Sequence, residues 1–341
     1  MTNSRKIVAA LLALLLALSL GGCGEFMLRD PARTIIRGNG KMSSDKNVNE
    51  FLLGQPHTLR IRDLNINYTS GKPGELTLVV DESLGYASYL ETDSNIKASL
   101  DLSHDPRSYE IVLKGQAGMR YAPTKLTLRI GVPVTKLELD GVWNVTYDCP
   151  GVTNCDAVLS GAVNGDFAFG TLERLHLTND GMGSVTLRGA AQLAVFSLSG
   201  AANINALDFT AQEAKVNIDG MGRCEISAEK NLTAAISGAA SCEFALGAAE
   251  LVDLNIDGTG NMKLRGAAQQ ARFRLSGAAN ILAFDLTAQD ADVSMDGFGK
   301  CEITAEKTLR AEISGMGSIV YGGDPTVSKN IDGLGSVRKR A

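Results

Sequence analysis

From residue 137 onward, apolar and polar residues alternate on both sides of a recurring glycine. Counted from that glycine, the second and fourth residues before it and the fourth and sixth after it are apolar in nearly every repeat. The pattern fails most clearly at Lys329 and Lys339, both in the last repeat. A period of two residues is typical of β-strands. The sequence therefore predicts short strands that enter and leave a glycine-containing bend.

These bends recur at nearly constant spacing. Successive glycines lie 18 to 20 residues apart, with a mean of (333 − 141)/10, or 19.2. A unit of this length cannot bury its own apolar face, whereas stacked units share one continuous core. The signature of a leucine-rich repeat, which has a similar period, is absent. We predict an all-β fold, a right-handed parallel β-helix of about eleven coils over 137–341, with bends at Gly141, Gly161, Gly181, Gly200, Gly220, Gly238, Gly258, Gly277, Gly297, Gly315 and Gly333.

The residue before each of these glycines alternates strictly between Asp and Ser. Directly stacked carboxylates would repel each other, and an intervening Ser separates them by two coil spacings, about 9.6 Å. Both residue types also hydrogen-bond to turn backbone. Calcium prefers clustered carboxylate and carbonyl oxygens, which this spacing does not provide. The sequence thus predicts a structural turn ladder without a bound metal, formed by Asp140, Asp180, Asp219, Asp257, Asp296 and Asp332.

Residues 50–136 are also rich in strand-forming residues but do not follow the 19-residue repeat. Runs at 57–67, 75–81, 95–102, 109–113 and 125–130 are separated by Gly, Pro, Asp and Ser, which favour turns. An open end of a β-helix is an edge strand that needs a cover. We predict that this segment forms a β-rich cap or irregular first coils.

The first 22 residues have the order of an export signal. Arg5 and Lys6 precede an apolar run over 7–20, which is too short to span a membrane. The run ends in Leu20-Gly21-Gly22-Cys23, which resembles the lipobox of bacterial lipoproteins. That resemblance implies cleavage before Cys23 and acylation of its side chain. The polar, irregular residues that follow indicate a lipidated tether over 23–49, with an ordered strand that starts somewhere inside it. We expect an exported protein held to the cell membrane or the outer membrane by Cys23, facing the periplasm or the exterior.

Composition and charge exclude some classes of function. The 341 residues carry a net charge of −5 without a basic stripe, so nucleic acid is not an expected partner. The three His residues lie far apart in sequence, and no zinc site or cofactor is expected. Enzymes that act on polysaccharides also use β-helices, but they need clustered charged residues and aromatic rings for sugars. Here the exposed columns are mainly Asn, Ser, Ala and Thr, so an enzyme is the alternative rather than the expectation.

The cysteines beyond residue 23 suggest packing and one disulfide. Cys149 and Cys155 bracket a short Pro-Gly-containing turn, and export would permit them to form a disulfide. Cys224 and Cys242 share one inward column of the predicted β-helix, close enough for a bridge. Cys301 lies in the same column without a partner, which favours buried thiols acting as small hydrophobic side chains.

The repeated Ser-Gly-Ala-Ala-Asn and Asp-Gly-x-Gly motifs resemble those of the GIN domain family of bacterial surface proteins. The opening Arg37-Gly38-Asn39-Gly40 and the segment Val132-Pro133-Val134-Thr135-Lys136-Leu137 carry the same resemblance, which covers roughly 36–338. The family implies a β-helix on exported or lipid-anchored proteins and no established catalytic residues. We expect a non-catalytic binding, adhesin-like or scaffolding module for a surface glycan or an envelope protein; an envelope signalling component is a further alternative.

Overall fold

The computed structural model describes residues 35–48, 57–66, 74–85, 87–105 and 107–340. The proposed signal peptide, Cys23 and the first part of the tether lie outside these residues. The described residues are nearly all β, at 79%, and among them are one four-residue α-helix, α1 (Ser94–Lys97), and one 3-10 turn, Glu82–Leu84. No helix in the described ranges is long and apolar enough to cross a membrane. The N-terminal strands are β1 (Ile35–Arg37), β2 (Met42–Val48), β3 (His57–Asn65), β4 (Glu75–Val80), β5 (Ala87–Asp93), β6 (Asp101–Asp105), β7 (Glu110–Lys114), β8 (Arg120–Ala122) and β9 (Leu126–Ile130).

The remaining strands are long and continue through the predicted bends. They are β10 (Val134–Cys149), β11 (Asn154–Asn179), β12 (Met182–Leu198), β13 (Ala201–Ile218), β14 (Met221–Ile236), β15 (Ala239–Ile256), β16 (Thr259–Leu275), β17 (Ala278–Met295), β18 (Phe298–Ile313), β19 (Ser318–Gly322), β20 (Thr326–Ile331) and β21 (Ser336–Lys339). Together they wind into a parallel β-solenoid of about ten turns with about 20 residues per coil.

Equivalent residues of successive coils lie directly above one another. Ile218 pairs with Ile236, and Ile236 pairs with Ile256, in parallel register. All three side chains are buried, with exposed fractions of 3%, 2% and 0%. The alternation of apolar and polar positions therefore does place one column of side chains in the lumen, and the predicted stacking is confirmed. Aromatic side chains fill the lumen near its N-terminal end, where Tyr147, Phe167, Phe169 and Phe209 meet edge to face.

The bend glycines are required by the close approach of neighbouring coils. A Cβ atom on Gly238 would overlap the carbonyl oxygen of Gly220 in the preceding coil, and its backbone lies outside the left-handed region. In four of the Asp-Gly-x-Gly turns, the conformation of the second glycine also requires glycine, since Gly183, Gly222, Gly260 and Gly299 have positive φ. Gly222 has φ +150° and also lies against the carbonyl oxygen of Ala202. Stacked backbone thus excludes side chains at the first position, and stacking together with conformation excludes them at the second.

The N-terminal strands extend the solenoid, but their spatial order differs from their order in the chain. β10 stacks in parallel on β3 and β4, and these two strands stack in turn on β7 and β9. The first regular coil therefore lies against 57–80 rather than against the segment that immediately precedes it. Antiparallel strands β2, β5 and β6 complete this end. The irregular first coils that the sequence suggested are present, and strands cover them.

One local expectation differs from the structure. The strand predicted at 95–102 is instead occupied first by α1, and β6 begins only at Asp101, while the strand β5 precedes α1. Ser94 and Asn95 hydrogen-bond to Asn39 and to the backbone of Arg37, so this stretch serves as a connection between strands. Inside the segment 23–49, where the sequence suggested that an ordered strand begins, β1 pairs with β8 and β2 pairs with β5.

A buried carboxylate joins the start of the described chain to this end of the solenoid. Asp93 is fully buried and accepts hydrogen bonds from the backbone N–H groups of Gly40 and Thr124, both at 2.7 Å, and from the Thr124 hydroxyl at 3.0 Å. Burial alone would raise the pKa of Asp93, but these hydrogen bonds outweigh it and hold the pKa below its ordinary value. Gly38 lies so close to this carboxylate that a Cβ atom would overlap it.

Gly238→Val tests the close stacking of coils. The added side chain must separate Gly238 from Gly220, so we expect a loss of more than about 2 kcal/mol in the free energy of unfolding. Lys230→Val, at an exposed position of the adjoining strand, should change it by less than about 0.5 kcal/mol. Urea unfolding followed by circular dichroism measures both. Equal small effects of the two substitutions would contradict the stacking.

Asp93→Asn tests the hydrogen bonds that the buried Asp93 carboxylate accepts from Gly40 and Thr124. The variant loses charge-assisted hydrogen bonds, so we expect it to be less stable by about 2 kcal/mol at pH 7. Because the folded pKa of Asp93 is depressed, its contribution is present above the unfolded pKa and is lost as the pH falls through the folded pKa. The difference in melting temperature should therefore shrink as the pH is lowered below about 4. A constant difference between pH 7 and pH 3 would show that ionisation of Asp93 is not the cause.

Candidate functional site

The predicted turn ladder lies on the surface, along one bend of the solenoid. Asp219, Asp257 and Asp296 are exposed, and each accepts a hydrogen bond from the Ser hydroxyl of the next coil. The three O–H···O distances are 2.8, 2.8 and 2.9 Å. Ser therefore donates to the neighbouring carboxylate as well as separating the charges, a role that spacing alone did not reveal. In the described part of the chain, no group of three or more His, Cys, Asp or Glu residues is arranged to hold a metal ion.

A second polar ladder follows the same bend on its other side. The third residue after each bend glycine is Asn, Ser, Arg or Lys. Asn164 donates to Asn144 at 2.9 Å, and Asn280 donates to Asn261 at 3.1 Å. Elsewhere an Asn oxygen accepts from the backbone of the next coil, as Asn203 does from Arg223. These contacts stabilise the stacking and leave little reactive chemistry on this side.

The described cysteines are all buried thiols. Burial raises the pKa of the Cys149, Cys155 and Cys301 thiols, so none is an activated nucleophile. Cys149 and Cys155 are unbonded here, and their disulfide stays a prediction. Cys224 and Cys242 are directly paired in register, as the shared inward column predicted. Cys23, the proposed lipidation site, lies outside the described residues.

A groove lies where β10 passes into β11. Gly151, Val152 and Thr153 of the connecting loop over 150–153 form one wall, and the Val152 side chain is buried. The groove encloses about 660 Å³ and is open to solvent. Polar and apolar atoms contribute about equally to its surface. The remaining lining residues come from β3, the start of β10 and β11, and they are Thr58, Pro133, Thr135, Lys136, Asn154, Asp156 and Arg174. Lys136 is in register with Thr58 on one side and with Asp156 on the other, which brings these three coils together.

Ion pairs fix the charged side chains of the groove. Arg174 donates to both carboxylate oxygens of Asp156 at 3.2 Å. Lys136 lies 2.8 Å from Glu138, which also pairs with Arg60 at 3.1 Å. Burial tends to raise the pKa of Glu138, but the nearby cations outweigh it and lower the pKa. The groove thus offers paired hydrogen-bond donors and acceptors with balanced charge.

One strained aromatic residue lies beside the groove. Tyr109 has φ +54°, a conformation that bulky residues rarely adopt. Its backbone oxygen accepts a hydrogen bond from Thr58 at 3.0 Å, and its ring meets His57 edge to face. The residue is 37% exposed. An exposed aromatic ring next to polar side chains gives a ligand an apolar face to contact. Sequence periodicity could not identify this residue, because it lies outside the regular repeat.

Comparison with known proteins places the chain in a family. The family described as "Putative auto-transporter adhesin, head GIN domain" matches residues 63–245 and 241–325. Solved structures similar to it include a "putative lipid binding protein" from Parabacteroides distasonis (18% identity, TM-score 0.35), a "putative adhesin" from Parabacteroides merdae (15%, 0.34) and another from Bacteroides fragilis (16%, 0.35). These alignments cover 90%, 90% and 89% of this chain and 100% of each of the other chains. No curated protein matches significantly. Because the family match extends over more than half of its length, the chain belongs to the GIN domain family.

Proposed function

We propose that this protein is a lipid-anchored module of the bacterial cell envelope that binds a surface glycan or an envelope protein without catalysis. Membership of a family described as an adhesin head supports a binding role. The observation that carries the proposal is the open groove beside the loop over 150–153, where polar side chains of several coils converge.

The chemistry of the groove favours recognition. The positive charges of Lys136 and Arg174 are balanced by those of Glu138 and Asp156. Such a surface suits ligands that exchange many hydrogen bonds, whereas polyanions would require excess positive charge. Carboxylates that act as acid and base need environments that separate their pKa values. Asp156 and Glu138 are instead each paired with a cation, which favours a structural and binding role.

The proposed anchor accounts for the N-terminal residues. Residues 1–22 are the export signal, Cys23 carries the acyl chains and the following residues are the tether. Two or more acyl chains hold a protein stably at a membrane without a spanning helix. The solenoid would then present its groove in the periplasm or at the exterior.

Arg174→Ala tests the groove. Loss of the guanidinium removes ligand contacts and releases Asp156, so we expect binding to an array of bacterial and host surface glycans, or to envelope proteins, to fall by about tenfold or more. Arg188→Ala is the matched control, because Arg188 forms a similar surface pair with Asp166 at 2.7 Å outside the groove. Binding that is unaffected by Arg174→Ala, or equally reduced by both changes, would contradict the assignment of the groove.

Cys23→Ala tests the anchor separately. The variant should lose labelling by radioactive palmitate and move from the membrane fraction to the soluble fraction. Cys301→Ala removes another cysteine, one that is buried in the lumen, and should keep both the label and the membrane location. Retention of Cys23→Ala in the membrane fraction without label would show that something other than acylation holds the protein there.

A further inference from the structure

A line of exposed apolar side chains runs along the bend of the solenoid. The described residues include nine exposed large hydrophobic side chains, and five of them occupy one column, the residue directly after the bend glycine. Parallel register connects the residues of this column from coil to coil, as in Met182 to Ala201 and Ala201 to Met221. We call the part of this column from Met182 onward the ridge, namely Met182, Ala201, Met221, Ala239, Thr259, Ala278, Phe298, Met316 and Leu334.

The turns leave the large side chains of the ridge exposed to solvent. In the Asp-Gly-x-Gly turns, the apolar residue stands between two glycines that cannot cover it. Met182 is 61% exposed, Phe298 is 57% exposed and Leu334 is 84% exposed. The ridge spans eight coil steps, or about 38 Å. Exposed apolar surface of this extent on one line is typical of an interaction site.

Polar groups of opposite character flank the ridge in the same coils. On one flank, each Asp-Gly-x-Gly turn carries its Asp. On the other flank, two residues after the ridge position, stands a hydrogen-bond donor in every case: Ser184, Arg223, Asn261, Lys300 and Ser336. Arg223 and Lys300 each pair with the Glu two residues further on, and the Arg223 side chain stays 68% exposed. The surface therefore has an acidic side and a donor side, with an apolar line between them.

We propose that the ridge is the contact surface for a second copy of this chain, related by a two-fold axis parallel to the solenoid axis. That symmetry places the acidic flank of each copy against the donor flank of its partner at the same coil level. Asp219 of one copy then faces Arg223 of the other, and Asp296 faces Lys300, while the apolar side chains meet along the axis. Rows of Asp beside the ridge disfavour burial in an anionic lipid surface, whereas they complement the donor flank of a second copy.

The size of this surface sets how strong the association is. A strip about 38 Å long and four residues wide, about 13 Å, gives about 500 Å² per copy. The total of about 1,000 Å² lies at the lower limit of stable interfaces, so the dimer is weak in dilute solution. The parallel arrangement directs both N-termini to the same side. Anchoring of both copies to one membrane, which rests on the proposed function, would raise their effective concentration.

Site-directed cross-linking of the full chain in cells tests the arrangement. Met221→Cys and Phe298→Cys should each give a dimer through identical residues, in intact cells and with purified full-length protein at high concentration in detergent. Lys230→Cys and Lys307→Cys are exposed positions in the same coils, away from the ridge, and should give at least fivefold less dimer. Equal cross-linking at ridge and control positions, or none at the ridge, would overturn the proposal. Cross-linking only between Met221→Cys and a distant ridge position would show an antiparallel contact and would also overturn it.

Charge exchange separates a specific two-fold contact from general apolar adhesion. Asp219→Arg in the Phe298→Cys background should reduce the cross-linked fraction by about threefold or more, because the introduced guanidinium of one copy would face Arg223 of the other. Adding Arg223→Asp restores opposite charges across the axis and should restore cross-linking. Circular dichroism confirms that each variant is folded. If the single and double variants are both folded and lose cross-linking equally, the pairing of Asp219 with Arg223 of the other copy is contradicted. Glycan or protein binding in the groove is measured separately, so failure of the dimer leaves the groove proposal intact.

Discussion

The structure depends on one interaction, the parallel hydrogen-bonded stacking of each coil on the one before it. A coil of about 20 residues has no core of its own, and its apolar side chains are buried only when like residues lie above and below. Ile218, Ile236 and Ile256 show this directly, as does the pairing of Cys224 with Cys242. The same stacking gives the outside of the molecule its columns, because a residue type repeated every coil becomes a continuous line on the surface.

These columns explain why a single turn motif has several consequences. Within Asp-Gly-x-Gly, the first glycine permits contact between backbones, and the second, as at Gly222, combines contact with a positive φ. The Asp accepts a hydrogen bond from the Ser hydroxyl of the next coil, whereas a second Asp stacked there would repel it. The turn does not require an apolar residue between its two glycines. This residue is nevertheless apolar in four of the five turns that start at Asp180, Asp219, Asp257, Asp296 and Asp332. Exposed apolar side chains that the fold does not require are typical of an interaction site.

Sequence reasoning predicted what repeats and missed what depends on distant contacts. The period, the inward columns and the Asp–Ser alternation follow from local pattern, and the structure places Ile236 and Cys242 accordingly. The crossover that puts β10 on β3 could not be predicted, because strand pairing in the irregular part is set by packing rather than by spacing. Asp93 accepts hydrogen bonds from Gly40 and Thr124, which lie far from it in sequence, so no local pattern indicates this contact. The groove was missed for the same reason, since its lining residues belong to different coils.

Stacking at a fixed coil distance can be measured without disturbing the core. Lys215 and Arg310 are exposed, lie 95 residues apart in sequence and are joined by five consecutive register steps. Spin labels at these two positions should give a narrow distance distribution by pulsed electron resonance, with a backbone separation of about 24 Å. A broad distribution, or a separation that differs from this value by more than the reach of the labels, would contradict the stacked solenoid on which the groove and the ridge both depend.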